Sequence, residues 1–168
     1  MTIFKKIQTI TFLLFAFLIS AQNVETSYNL TQEGALQLAK QANLEAKKIN
    51  KNVSIAVLNS SGVTLLILKG DNVGPHNSEA SRRKAYTSLS TKTPSYILMK
   101  NAEQNPDAKN LNTLPELLLL GGGSPIYKDG NLVGSIGISG GGSGENDHNL
   151  ALKAVENSGY KTSAETKK

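Results

Sequence analysis

The chain of 168 residues contains no cysteine. Disulfides, cysteine-based zinc sites, iron–sulfur clusters, thioether-linked haem and thiol catalysis are therefore excluded. Histidine is almost as scarce, with only His76 and His148 present. Any imidazole chemistry rests on those two. No internal repeat and no linker interrupts the sequence, which argues for one domain. The 18 Lys and Arg residues outnumber 13 Asp and Glu, a formal +5, but they are spread along the chain. Nucleic-acid binding is usually marked by a concentrated basic patch or stripe, so no nucleic-acid partner is expected.

The longest apolar run, Ile10 to Ile19, falls well short of the about 20 residues that span a membrane. Lys5 and Lys6 precede it and Ser20-Ala21-Gln22 follow it. A basic start, a short apolar stretch and small residues at its end describe a secretory signal peptide. Residues 1–21 are read as that peptide, cleaved after Ala21, with an uncleaved anchor as the alternative. The absence of cysteine after the run argues against a lipid anchor. The expected location is the periplasm or the medium. Residues 22–160 then form the domain, and 161–168 a polar tail.

Thr31-Gln-Glu-Gly-Ala opens a helix in which Ala35, Leu38, Ala39, Ala42, Ala46 and Ile49 share one face. Val53–Leu58 and Val63–Leu68 read as strands joined by the turn Asn59–Gly62. Both carry apolar residues at successive positions, so this sheet is expected to be covered on both faces. A second helix is expected from Ser78 to about Ser90, and a third from Thr93-Pro94. Asn105–Asn110 is a loop. Leu114–Leu120 suits helix or strand by pattern alone, and its shortness and the following Gly121–Gly123 favour mostly strand. Pro125–Lys128 and Asn131–Ser139 form a hairpin around Asp129-Gly130, and the last helix runs from Asn146 to Val155. Tight turns between adjacent strands make the sheet antiparallel, so a doubly wound nucleotide fold is excluded.

The most informative stretch is Asp71-Asn-Val-Gly-Pro-His76-Asn-Ser-Glu-Ala-Ser-Arg82-Arg83-Lys84-Ala-Tyr86-Thr87. It sets an imidazole in a Gly-Pro turn ahead of a helix that carries three cations and a tyrosine. With Gly121-Gly-Gly-Ser-Pro125-Ile-Tyr-Lys-Asp-Gly130 and Val133-Gly-Ser-Ile-Gly-Ile-Ser-Gly140, it resembles the GlcG and HbpS family of small haem-binding proteins. The three blocks come in the family's order, and the similarity runs from about Leu30 to about Asn157. The resemblance implies a profilin-like α+β fold, with a five-stranded antiparallel sheet between helical layers. It also implies haem as ligand and a homo-oligomer, with a membrane sensor as a possible partner.

On that footing His76 is the candidate iron ligand. Arg82, Arg83 or Lys84 would pair with the propionates. Tyr86, four residues after Arg82, would stack on the porphyrin or donate a hydrogen bond. The bland alternative is a loop histidine beside a solvated charged face. His148 can be a second axial ligand or one supplied to a neighbouring subunit, although a polar residue in a helix's first turn is the favoured reading. Asp71 is read as a turn-capping residue.

Gly137-Ile-Ser139-Gly-Gly141 matches the nucleophile elbow formally. It fails the requirement for a sharp turn directly into a helix, and the only later histidine lies nine positions on. Gly121-Gly-Gly-Ser-Pro125 lacks dinucleotide spacing. No catalytic residue is assigned. The sequence therefore points to an exported haem-binding protein acting in capture, sequestration or sensing. Its rivals are an enzyme on a small organic substrate and a regulatory module working through an oligomer and a protein partner.

Overall fold

The computed structural model describes residues 27–164. The signal-peptide reading of residues 1–21 lies outside them. Helix α1 (Gln32–Lys48) starts where Thr31 Oγ1 accepts a hydrogen bond from Gly34 N at 3.1 Å, a side-chain cap. Its stripe of Ala35, Leu38, Ala39, Ala42 and Ala46 is buried as the periodicity requires, but Ile49 falls past the helix end and is exposed.

Strands β1 (Ser54–Asn59) and β2 (Thr64–Lys69) form the first hairpin, with a bulge at Val57/Leu58. Strands β3 (Gly123–Lys128) and β4 (Asn131–Ser139) form the second. Asp129 and Gly130 both have positive φ, 49° and 78°, as a two-residue hairpin turn demands. Among the described residues the sheet has four antiparallel strands in the order β2-β1-β4-β3, not five.

The missing strand is Leu114–Leu120, which takes no strand partner. Its backbone groups are satisfied by local turns, such as Leu117 N to Leu114 O at 3.1 Å, and by side chains instead. Arg83 Nη2 donates to Leu117 O at 2.6 Å, Thr87 Oγ1 accepts from Leu118 N at 2.8 Å, and Ser95 Oγ donates to Leu120 O at 2.7 Å. Leu117 and Leu119 still bury their side chains, which explains the apolar pattern. At the outer edge of β3, one antiparallel bridge joins Tyr127 to Lys161.

Helix α2 (His76–Thr91) begins two residues earlier than Ser78 and lies on one face of the sheet. Helix α3 (Ser95–Gln104), the short α4 (Pro106–Lys109) and a 3₁₀ turn (Asn110–Thr113) follow it. Helix α5 (Gly144–Asn157) packs beside α1 on the opposite face. β1 divides its side chains between the two layers. Ile55 and Val57 join the large core under α1 and α5, while Ala56 and Leu58 meet Ala85 of α2.

Helix α2 approaches the sheet closely. A Cβ on Gly137 would collide with Ser81 O, and one on Gly123 with Lys84 O. Glycine there is required by the distance between layers. Coverage on both faces holds for β1, but not for β2, an edge strand whose Ile67 and Leu68 are exposed.

Candidate functional site

Helix α2 distributes the residues singled out in the sequence around its circumference. His76 is its first residue and is exposed, with its ring lying against Gly74. Beside it, Asn77 Nδ2 donates to Gly74 O at 3.1 Å, while Asn77 Oδ1 accepts from Ser139 Oγ at 2.7 Å. Asn77 thereby ties the helix start to the end of β4.

Arg82 is engaged by two carboxylates. Its Nε and Nη2 reach Glu79 at 2.9 and 2.7 Å, and Nη2 also reaches Glu116 Oε2 at 2.8 Å. These bonds hold the guanidinium above its ordinary pKa, and the bond from Arg82 holds Glu79 below the usual carboxylate value. Arg83 donates to Leu117 O from Nη2, and its Nε is buried without a partner among the described residues. Both arginines thus border the Leu114–Leu120 segment. Tyr86 packs on Ala56, Leu58 and Ala85, next to Gly62 of the first hairpin. Ten residues separate it from His76, about 15 Å along the helix axis. The fold therefore groups Arg82 with Arg83 and leaves His76 and Tyr86 well apart.

Lys84 was expected on the charged face and is buried instead. Its ammonium donates to Asp147 Oδ2 at 2.8 Å, Ile138 O at 3.1 Å and Ser139 Oγ at 3.3 Å. Burial pushes its pKa below the ordinary lysine value, against the opposing pull of Asp147. Asp147 Oδ1 accepts from Gly141 N at 2.7 Å, so both carboxylate oxygens are used. All three ammonium protons are also met, as a buried charge requires. Sequence reasoning missed this pair. The signal was the stripe of small residues Ser81, Ala85 and Ser88 on the same side of α2, which marks a face pressed against the sheet. Ser139 is buried in this network, with its hydroxyl donating to Asn77.

His148 sits in α5 and stacks on Tyr96 of α3, with ring centroids 4.9 Å apart and planes inclined by 16°. Its Nδ1 is buried without a partner among the described residues. Burial holds the imidazole pKa below the ordinary value, opposed by the charge of Glu145. Asp71 lies in a turn, where its carbonyl accepts from Asn52 Nδ2 at 3.0 Å.

Two clefts bracket the molecule. One of about 470 Å³ lies among α3, α4 and Leu119, and one of about 460 Å³ lies between α1 and β2. His76 lines neither.

An antiparallel sheet with helices on both faces and an exposed histidine at the start of α2 defines a small α+β domain. Comparison with known proteins gives it a family. The profile described as "Haem degrading protein HbpS-like" matches residues 30–156, and the chain belongs to that family. It is 32% identical to protein GlcG of Escherichia coli K12 over 118 residues, covering 69% of this chain and 85% of GlcG. The crystal structure of HbpS matches with a TM-score of 0.74 at 36% identity, over 80% of this chain and 93% of HbpS. The crystal structure of a PduOC:haem complex matches with a TM-score of 0.71 at 25% identity, over 80% of this chain and 99% of the other.

Proposed function

We propose that this is an exported haem-binding protein in which His76 ligates the iron. The observation that carries the reading is the exposed imidazole at the first residue of α2, in a chain with one other histidine. Membership of a family described by haem chemistry, and likeness to a protein crystallised with haem, support it.

The donor set fits haem better than a bare metal ion. Among the described residues no group of three or more His, Asp or Glu side chains is placed to hold a metal. A porphyrin supplies four nitrogens of its own and needs only one or two axial ligands from the protein. His76 is free to serve, whereas the ring of His148 is engaged with Tyr96.

Haem, when bound, supplies redox-active iron and an apolar plate with two carboxylates. The chain's part is to present the imidazole and to meet those carboxylates. Arg82 reaches a propionate by exchanging Glu116, whose side chain is half exposed. Arg83, next to Arg82 in the chain, adds positive charge beside the same segment while its Nη2 holds Leu117 O. Tyr86, packed on the hairpin, takes no part in this arrangement. Residues 1–21 direct the protein out of the cytoplasm in this reading.

A hemin titration followed by absorbance tests the proposal. The expected result is saturation at one haem per chain with a sharp Soret band. Weak, non-saturating uptake would contradict it.

A further inference from the structure

The face of α1 turned toward β2 is not covered. Leu36, Ala39 and Leu44 of the helix line a groove with Leu66 and Leu68 of the edge strand, about 460 Å³ in volume. Leu36, Leu44 and Leu68 are 48%, 43% and 41% exposed, so this apolar surface faces water. Exposed contiguous apolar surface of this kind marks interaction sites. From Leu36 to Lys47 the lining residues of α1 recur every three or four positions, forming one stripe about 16 Å long.

The remainder of the lining is polar, Asn43 with two lysines. Lys40 and Lys47 stand on the same stripe, and no Asp or Glu lines the groove. Neither lysine has an ion-pair partner among the described residues. Lys48 next in sequence is occupied by Glu45 at 2.6 Å, which singles out the other two.

The chemistry of the lining selects among occupants. No aromatic ring or imidazole lines the groove, so a flat macrocycle finds nothing to stack on and no iron ligand. A second copy in a two-fold contact would set the same patch against itself. That would oppose lysine to lysine with no acid to compensate. An aliphatic floor beside two ammonium groups without ion-pair partners among the described residues instead matches an apolar chain with an anionic head.

We propose that the α1–β2 groove binds an acyl carboxylate, with the chain along Leu36, Leu44, Leu66 and Leu68 and the head group on Lys40 or Lys47. The site lies on the face of the sheet opposite α2, and stands independently of iron ligation by His76.

Displacement of 11-(dansylamino)undecanoate tests it, and the absence of tryptophan leaves little background fluorescence. Decanoate should displace the probe saturably, at a concentration about tenfold lower than decanol, about 1.4 kcal/mol for the head group. The double variant Lys40→Gln/Lys47→Gln, on exposed positions, should bring decanoate to the level of decanol with an unchanged circular dichroism spectrum. Leu44→Asp should weaken both ligands. Equal displacement by decanoate and decanol, indifferent to the lysines, would overturn the proposal. Displacement by hemin but not by decanoate would overturn it in favour of a flat ligand. A change of mass in Leu44→Asp by light scattering, with no response of the wild type to decanoate, would overturn it in favour of self-association.

Discussion

Lys84 of α2 and Asp147 of α5 form an ion pair of 2.8 Å that is almost wholly buried, with side-chain exposures of 1% and 6%. The pair joins helices on opposite faces of the sheet at the end of β4, where Ile138 O and Ser139 Oγ take the remaining ammonium protons. Its partners are 63 residues apart in sequence, so it ties the two halves of the chain together.

Breaking this pair from one side should be severe. Asp147→Ala leaves a buried ammonium uncompensated and the Gly141 amide unsatisfied, at an expected cost of about 3–5 kcal/mol. The double change Lys84→Met/Asp147→Leu should recover much of that loss, because it removes both charges and keeps the volume. Urea unfolding of the three proteins checks this. A double variant no more stable than Asp147→Ala would contradict it.

Two glycines should respond very differently to alanine. Gly137→Ala drives a methyl into Ser81 O beneath α2 and should separate the helix from the sheet. Its expected cost exceeds that of ordinary overpacking, about 1–3 kcal/mol. Gly130→Ala meets no atom within 4 Å, but must adopt a φ of +78°. Its expected cost is only about 1–2 kcal/mol, the left-handed penalty. Guanidinium unfolding midpoints measure both, and equal effects would refute the packing argument.

His148 should make stability depend on pH. Its folded pKa lies below the ordinary value of about 6.5, chiefly through burial. Between the folded and unfolded pKa the unfolded chain binds more protons, so stability rises with pH there and is lost as pH falls. The contribution is complete above about 6.5, declines below it, and is fully lost once pH is below the folded pKa. His148→Phe, which keeps a ring on Tyr96, should flatten this part of the curve. Thermal unfolding between about pH 7.5 and 5 measures it, and an identical slope in the variant would contradict the assignment.

The network at Arg82 should matter less. Its partners Glu79 and Glu116 are exposed, with side-chain exposures of 59% and 52%. Arg82→Ala should cost about 1 kcal/mol or less, and less still at high salt. A large, salt-independent loss in thermal unfolding would show that the arginine does more than bridge carboxylates.

Local structure was legible in the sequence where local chemistry determines it. The alanine-rich stripe of α1 is buried as its spacing requires, and Asp129-Gly130 turns the second hairpin. What failed depended on partners distant in the chain. Leu114–Leu120 has an apolar pattern that suits a strand, yet local turns together with Arg83, Thr87 and Ser95 serve its backbone and no strand is needed. β2 reads like β1 in composition, but strand order alone makes it an edge. The burial of Lys84 depends on Asp147 and on the glycines that let α2 descend, so adjacent cations misled the reading of its face. Of the candidate site, the sequence revealed the residue types but not their grouping. Tyr86 and His76 share a helix without sharing a place.

The most direct test of the central claim is the absorbance spectrum of hemin bound to wild type, His76→Ala and His148→Ala. The account requires a Soret band that is shifted or lost in His76→Ala and kept in His148→Ala. A spectrum unchanged by His76→Ala, or lost only in His148→Ala, would contradict ligation by His76.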